Sequence, residues 1–177
     1  ALVYLLVRSG HLLSYAHFAP IQFDPVGVVS LLPRPLIPGV VQGLGLVAIA
    51  LSPAFLLGWR YRVTAPLFAA AMLWVLTYSN SWGQILHTDN LLMMHVIVLA
   101  LAPAADRLSL DARRRGDGPG PEPSGRYGWA IRLMCAICVV AYALAGVAKI
   151  RNGGSAFIEG DTLRNFIAFD NVRKIAL

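Results

Sequence analysis

Charge is scarce in this chain. Only 14% of its 177 residues are Asp, Glu, Lys or Arg, against about 25% in soluble domains. With 57% hydrophobic residues and a mean hydropathy of +0.63, the balance excludes a water-soluble globular domain and marks an integral membrane protein. Acidic residues are the scarcer kind, nine against fifteen basic, for a net charge of +6. In a membrane protein such an excess belongs to cytoplasmic loops. No aromatic-basic motif is present, so nucleic acid is not an expected partner. Cysteine is nearly missing. Cys135 and Cys138 form a C-x-x-C on one face of an apolar helix. That run offers no exposed helix N-terminus for redox chemistry, and no second ligand pair accompanies it for zinc, so the pair reads as packing. A charged leader followed by a small-residue cleavage site is also lacking, and no signal peptide is expected. The chain opens inside apolar sequence at Ala1 and reads as a fragment lacking the start of its first span.

What is present is a series of apolar runs. Residues 1–7 read as the end of a first span. The proline-rich stretch 18–38 holds Pro20, Pro25, Pro33, Pro35 and Pro38, which exclude a regular helix through most of it. It keeps apolar residues such as Phe23, Val29 and Leu32, as an ordered interfacial connection would. Further spans are expected at about 39–58, 63–78, from 86 or 91 to 103, and 127–149. Pro53 can be tolerated within a bundle, and Gly43 and Gly45 permit close helix approach. The soluble-like segment is 104–128, with a Gly/Pro-rich tract expected to be flexible. After Gly160 an amphipathic helix is predicted, capped by Asp161 or Thr162, with Leu163, Phe166 and Ile167 as its apolar face. The fold class is therefore all-α: a polytopic transmembrane helix bundle of about five spans, forming one domain over 1–177, plus an amphipathic C-terminal helix.

Charge asymmetry orients the bundle. Loops 58–62 and 104–128 lie on one side by parity and hold seven arginines; the opposite loops, 18–38 and 79–90, hold only Arg34. The basic loops are expected in the cytoplasm. His87 and Lys149 then fall on the outer side of a cell membrane. The tail runs against this pattern, because Arg151, Arg164, Arg173 and Lys174 share that outer side.

Lys149 ends an apolar run that starts near Leu133, and two readings stay open. It snorkels to the headgroups, or it is partly desolvated, loses its proton easily and acts as a base. Cys138, Tyr142 and Lys149 are separated by four and seven residues, hence one stripe of one helix. An inward-facing stripe would bring Lys149 toward Trp82, His87, Asp89 and Asn90. A histidine at a helix start is simply water-exposed, or else it assists the lysine. Asp89 reads as a helix N-terminal acid favoured by the dipole, and His95 as a buried histidine bonded to a neighbouring helix. His87 and His95 do not match a zinc spacing, and no metal is assigned.

Four pieces, in order along the chain, carry a family resemblance. They are Phe23-Asp-Pro-Val-Gly-Val-Val-Ser-Leu-Leu-Pro33, Ser81-Trp-Gly-Gln-Ile-Leu-His87, Ala105-Asp-Arg-Leu-Ser-Leu-Asp111 and Tyr142-Ala-Leu-Ala-Gly-Val-Ala-Lys149. The sequence resembles the HTTM (horizontally transferred transmembrane domain) family, related to the vitamin K-dependent gamma-carboxylase. The resemblance implies a fragment lacking the family's last spans. It implies Lys149 as the base that deprotonates reduced vitamin K or another membrane quinol, and His87 as its assistant. Oxygen then adds, and the strong base so formed takes a proton from a glutamate side chain, which captures carbon dioxide. Trp82, Asn90 and Tyr142 are the expected substrate contacts, and a peptide or protein the expected substrate. The chain departs from the family after Lys149, where Gly154-Ser-Ala-Phe-Ile-Glu-Gly160 has Phe157 but no Trp. Alternatives remain: a quinone- or lipid-binding membrane protein with no catalysis or a different one, or a membrane scaffold.

Overall fold

The computed structural model describes residues 3–5, 18–83, 87–116 and 125–175, without the side chains of 87, 157, 158, 162 and 170–175. Helix is the only regular structure among the described residues. Three helices are long and apolar enough to cross a membrane: α1 (Pro38–Leu57), α2 (Tyr61–Asn80) and α5 (Gly125–Ile158). Between them lie α3 (His87–Leu101) and the short α4 (Leu110–Arg115); α6 (Asp161–Ile175) follows. The protein is thus an all-α membrane protein. The expected first span falls mostly outside the described residues, although 3–5 are helical. The Gly/Pro tract at 117–124 lies outside them too. The chain divides into two compact units, Ala1–Met134 and Cys135–Leu177.

Helix α1 starts where proline permits a start. Pro38 occupies its first turn, where the missing N–H would have had no partner in any case. It stops at Gly58, which takes a left-handed φ of 62°. The Gly58 N–H donates to the Phe55 carbonyl at 3.2 Å and the Trp59 N–H to the Ala54 carbonyl at 2.9 Å. This is the paired closure of a Schellman motif. The site would refuse any side chain, because a Cβ at Gly58 would lie 2.5 Å from the Ser109 Cβ.

Helix α2 is the centre of the first unit. It packs against α1 on one side, α3 on another, and the 3-10 turn Gly27–Leu31. Half of its membrane-crossing window is buried, against 22% for α1. Ala65, Phe68 and Met72 are fully enclosed, and Phe55 stacks on Phe68 with centroids 4.7 Å apart. The described part of helix α3 has fifteen residues. It ends at Leu101, before Pro103.

The proline-rich stretch is ordered, as expected, through two 3-10 turns at Pro20–Gln22 and Gly27–Leu31. It is stitched to the end of α2. The Asp24 N–H donates to the Ser81 carbonyl at 2.9 Å, the Val26 N–H to Ser81 Oγ at 3.1 Å, and Val29 is buried.

The second unit carries the rest of α5 and α6. Helix α5 runs past the expected end at Lys149, because Ile150, Arg151 and Asn152 permit helix. Its helical dihedrals first fail at Gly154, with φ 51° and ψ −137°. Helix α6 begins at Asp161 itself, and Asp161 pairs with Arg164 one turn on at 3.8 Å. Leu163, Phe166 and Ile167 are exposed.

Candidate functional site

The polar groups of the first unit collect at the end where α2 stops and α3 starts. Ser79, Asn80 and Ser81 are buried there, and so is Asp89 in the first turn of α3. Ser81 holds its place through both sides of its hydroxyl: Oγ donates to the Thr77 carbonyl at 2.7 Å and accepts from the Val26 N–H. Asp89 is 1% exposed. Its carboxylate accepts a hydrogen bond from the Tyr4 hydroxyl, contributed by the helical residues 3–5. The expectation of a helix-start acid is met in position, and the structure adds burial and a tyrosine partner. A buried carboxylate would be costly without such a donor.

Aromatic rings wall this end. Trp82 lies edge-on to Phe18 and Tyr78, with centroids 6.0 and 6.1 Å apart, and tilted against Phe23 at 5.1 Å. Trp74 stacks on Tyr78 at 5.8 Å. Trp82 is therefore partly buried within its own chain. Asn90 is exposed. His87 is the first described residue of α3, and its side chain lies outside the described ones. His95 is half-buried, and its Nδ1–H donates to the Leu91 carbonyl of its own helix at 2.7 Å.

In the second unit, Tyr142 and Lys149 sit seven residues apart on α5, before the break at Gly154. Both are exposed, Tyr142 at 79%. Cys135 is exposed and Cys138 half-buried, and the two are not joined in a disulfide.

The opposite end of the first unit holds a clamp that reading the sequence missed. Asp111 in α4 reaches back 51 residues, and its carboxylate accepts from the Arg60 N–H at 2.8 Å and the Tyr61 N–H at 2.7 Å. These are amides at the start of α2, which no intrahelical carbonyl can satisfy. Those two bonds, Tyr61 first, hold the Asp111 carboxyl below its ordinary range, and Arg115 and Arg114 add to the effect. Ser109 caps α4, accepting from the Ala112 N–H at 2.9 Å. The Tyr61 hydroxyl donates to the Leu99 carbonyl of α3 at 2.7 Å. Arg60 itself is left-handed, with φ 46° and no side-chain cap of its own, which is the local trace of this external cap.

No protein-family model, no curated protein and no solved structure matches this chain.

Proposed function

We propose that this membrane protein is an HTTM-type domain that acts on a reduced quinone, with Lys149 as the base. One observation carries the reading: Lys149 stands inside helix α5, which is long and apolar enough to cross a membrane, five residues before its break, and not on a loop. A lysine costs about 2.5–3.5 kcal/mol at mid-bilayer and less toward the surface, and ionisable groups within spans mark functional sites. In this reading the neutral amine takes a proton from a quinol hydroxyl. The family resemblance implies His87 as its assistant and Trp82, Asn90 and Tyr142 as ring contacts. The site faces outward, and loops 58–62 and 104–128 face the cytoplasm. A glutamate-bearing peptide or protein is the second substrate.

A second reading is favoured by the exposure of Tyr142 and Lys149 within this chain. The stripe then binds quinone or lipid with no turnover, or serves as a scaffold surface.

Quinol-dependent epoxidation by the full-length protein in membranes tests the choice. Lys149→Ala should lower it at least a hundredfold. Lys149→Arg should not restore it, because a guanidinium does not give up its proton. Activity that survives Lys149→Ala rejects the catalytic reading. Quinone binding without turnover, unchanged in Lys149→Arg, supports the second.

A further inference from the structure

We propose that the basic end of the first unit binds the headgroup of an anionic phospholipid. A cleft of about 1600 Å³ opens between the start of α2, the end of α3, the turn before α4 and the start of α5. Arg60, Arg62, Arg107, Arg115 and Arg126 line it with two carboxylates, an excess of three positive charges.

Both carboxylates are already occupied. Asp111 caps α2 through two backbone amides. Asp106 accepts from the Tyr127 hydroxyl at 3.1 Å and pairs with Arg126 at 3.5 Å. Among the described residues, no carboxylate lies within ion-pair distance of Arg62 or Arg107. Guanidinium groups gathered this way repel one another until an anion joins them, and their planar forks match phosphate oxygens.

The rest of the lining separates a lipid from a soluble phosphate. Val63 and Leu101, on the flanks of α2 and α3, are 58% and 73% exposed, and Leu108 is fully exposed. Trp129 joins the wall from α5, a residue type enriched at headgroup depth. Phosphate-binding arginines beside exposed apolar helix flanks fit a diester headgroup with its acyl chains laid along the spans. Basic pockets between helix ends are a known setting for such headgroups.

The test uses the full chain in phosphatidylcholine nanodiscs, titrated with cardiolipin and read by native mass spectrometry. Wild type should retain cardiolipin. The double variant Arg62→Gln/Arg107→Gln should bind roughly 30-fold more weakly, at the usual worth of a surface basic residue near anionic lipid. Arg151→Gln, on the second unit, should bind within about twofold of wild type, as an estimate for one charge outside the cleft. The charge-preserving Arg62→Lys/Arg107→Lys should fall between. If the double variant does not fold, Arg107→Gln alone should still show roughly a fivefold loss. Excess inorganic phosphate should leave the lipid bound. Displacement by phosphate would make the site one for a free anion and overturn the proposal. So would equal retention of cardiolipin by wild type and the double variant, or binding no tighter than that of phosphatidylcholine.

Discussion

Asp111 and Tyr61 are joined by a hydrogen bond of 2.7 Å from the Tyr61 amide to the Asp111 carboxylate. Through it a six-residue helix supplies the N-terminal cap of the central span. The span lacks a capping side chain of its own, because Arg60 precedes it in a left-handed conformation. Replacing Asp111 by Ala should lower the melting temperature in detergent by a few degrees, and Asp111→Asn by less, since its amide oxygen can still accept one bond.

The same carboxyl predicts an acid limb. Its folded-state pKa is depressed, first by the Tyr61 amide and then by the Arg60 amide. Its contribution is therefore complete above the unfolded value of about 3.9 and disappears as pH falls through the lower folded value. Melting curves from neutral to acid pH should show wild type and Asp111→Asn converging at the acid end. Curves that stay parallel throughout would exclude this coupling.

Gly58 tolerates no side chain for two separate reasons, its φ of 62° and the Ser109 Cβ 2.5 Å from the position of a Cβ. Gly58→Ala should cost about 2–4 kcal/mol. Gly43→Ala serves as control, because nothing lies within 4 Å of its Cβ position. It should be neutral or slightly stabilising. Urea titration of the detergent-solubilised protein compares the two.

Ser81→Ala removes the acceptor of the Val26 N–H. The cost should be about 1 kcal/mol, at the low end for a donor that is only partly buried, and limited proteolysis should cut faster within residues 20–37. An unchanged digestion pattern would show that the carbonyl bond from Asp24 and the buried Val29 suffice to hold the stretch.

Phe68→Ala should destabilise by about 3–5 kcal/mol, since Phe68 is fully enclosed and stacked on Phe55. Leu67→Ala, next to it and 52% exposed, should change stability by less than about 0.5 kcal/mol. Thermal unfolding of both variants separates the core face of α2 from its outer face.

The spans were legible because their limits are local. Pro38 and Gly58 announce α1 within a residue, and the apolar run over 63–78 announces α2 to within two residues at each end. The charge at Lys149 marks where the apolar run ends, whereas the backbone leaves helical dihedrals only at Gly154, which the run of apolar residues does not announce. The external cap could not be read, since nothing in Ser109-Leu-Asp111 shows that its carboxylate turns toward residue 61. The partners of Ser81 and Asp89 were hidden for the same reason: Val26 and Tyr4 are distant in sequence. The structure nevertheless joins two of the resemblance pieces to each other. The Phe23–Pro33 piece meets the Ser81–His87 piece through Ser81. The piece ending at Asp111 meets the turn before α2. Of the candidate site, Lys149 was readable as a charge in an apolar helix; what surrounds its amine depends on tertiary placement that spacing alone does not encode.

The cap on α2 also imposes an order on biosynthesis. Arg60 and Tyr61 leave the ribosome about fifty residues ahead of the carboxylate that holds them. At roughly 5–20 residues per second, the α1–α2 hairpin waits on the order of 3–10 s with those two amides served by water or by the translocation machinery. Membrane entry of that hairpin therefore precedes its fastening, and a nascent chain truncated before residue 111 should insert yet remain sensitive to protease at the 58–61 turn.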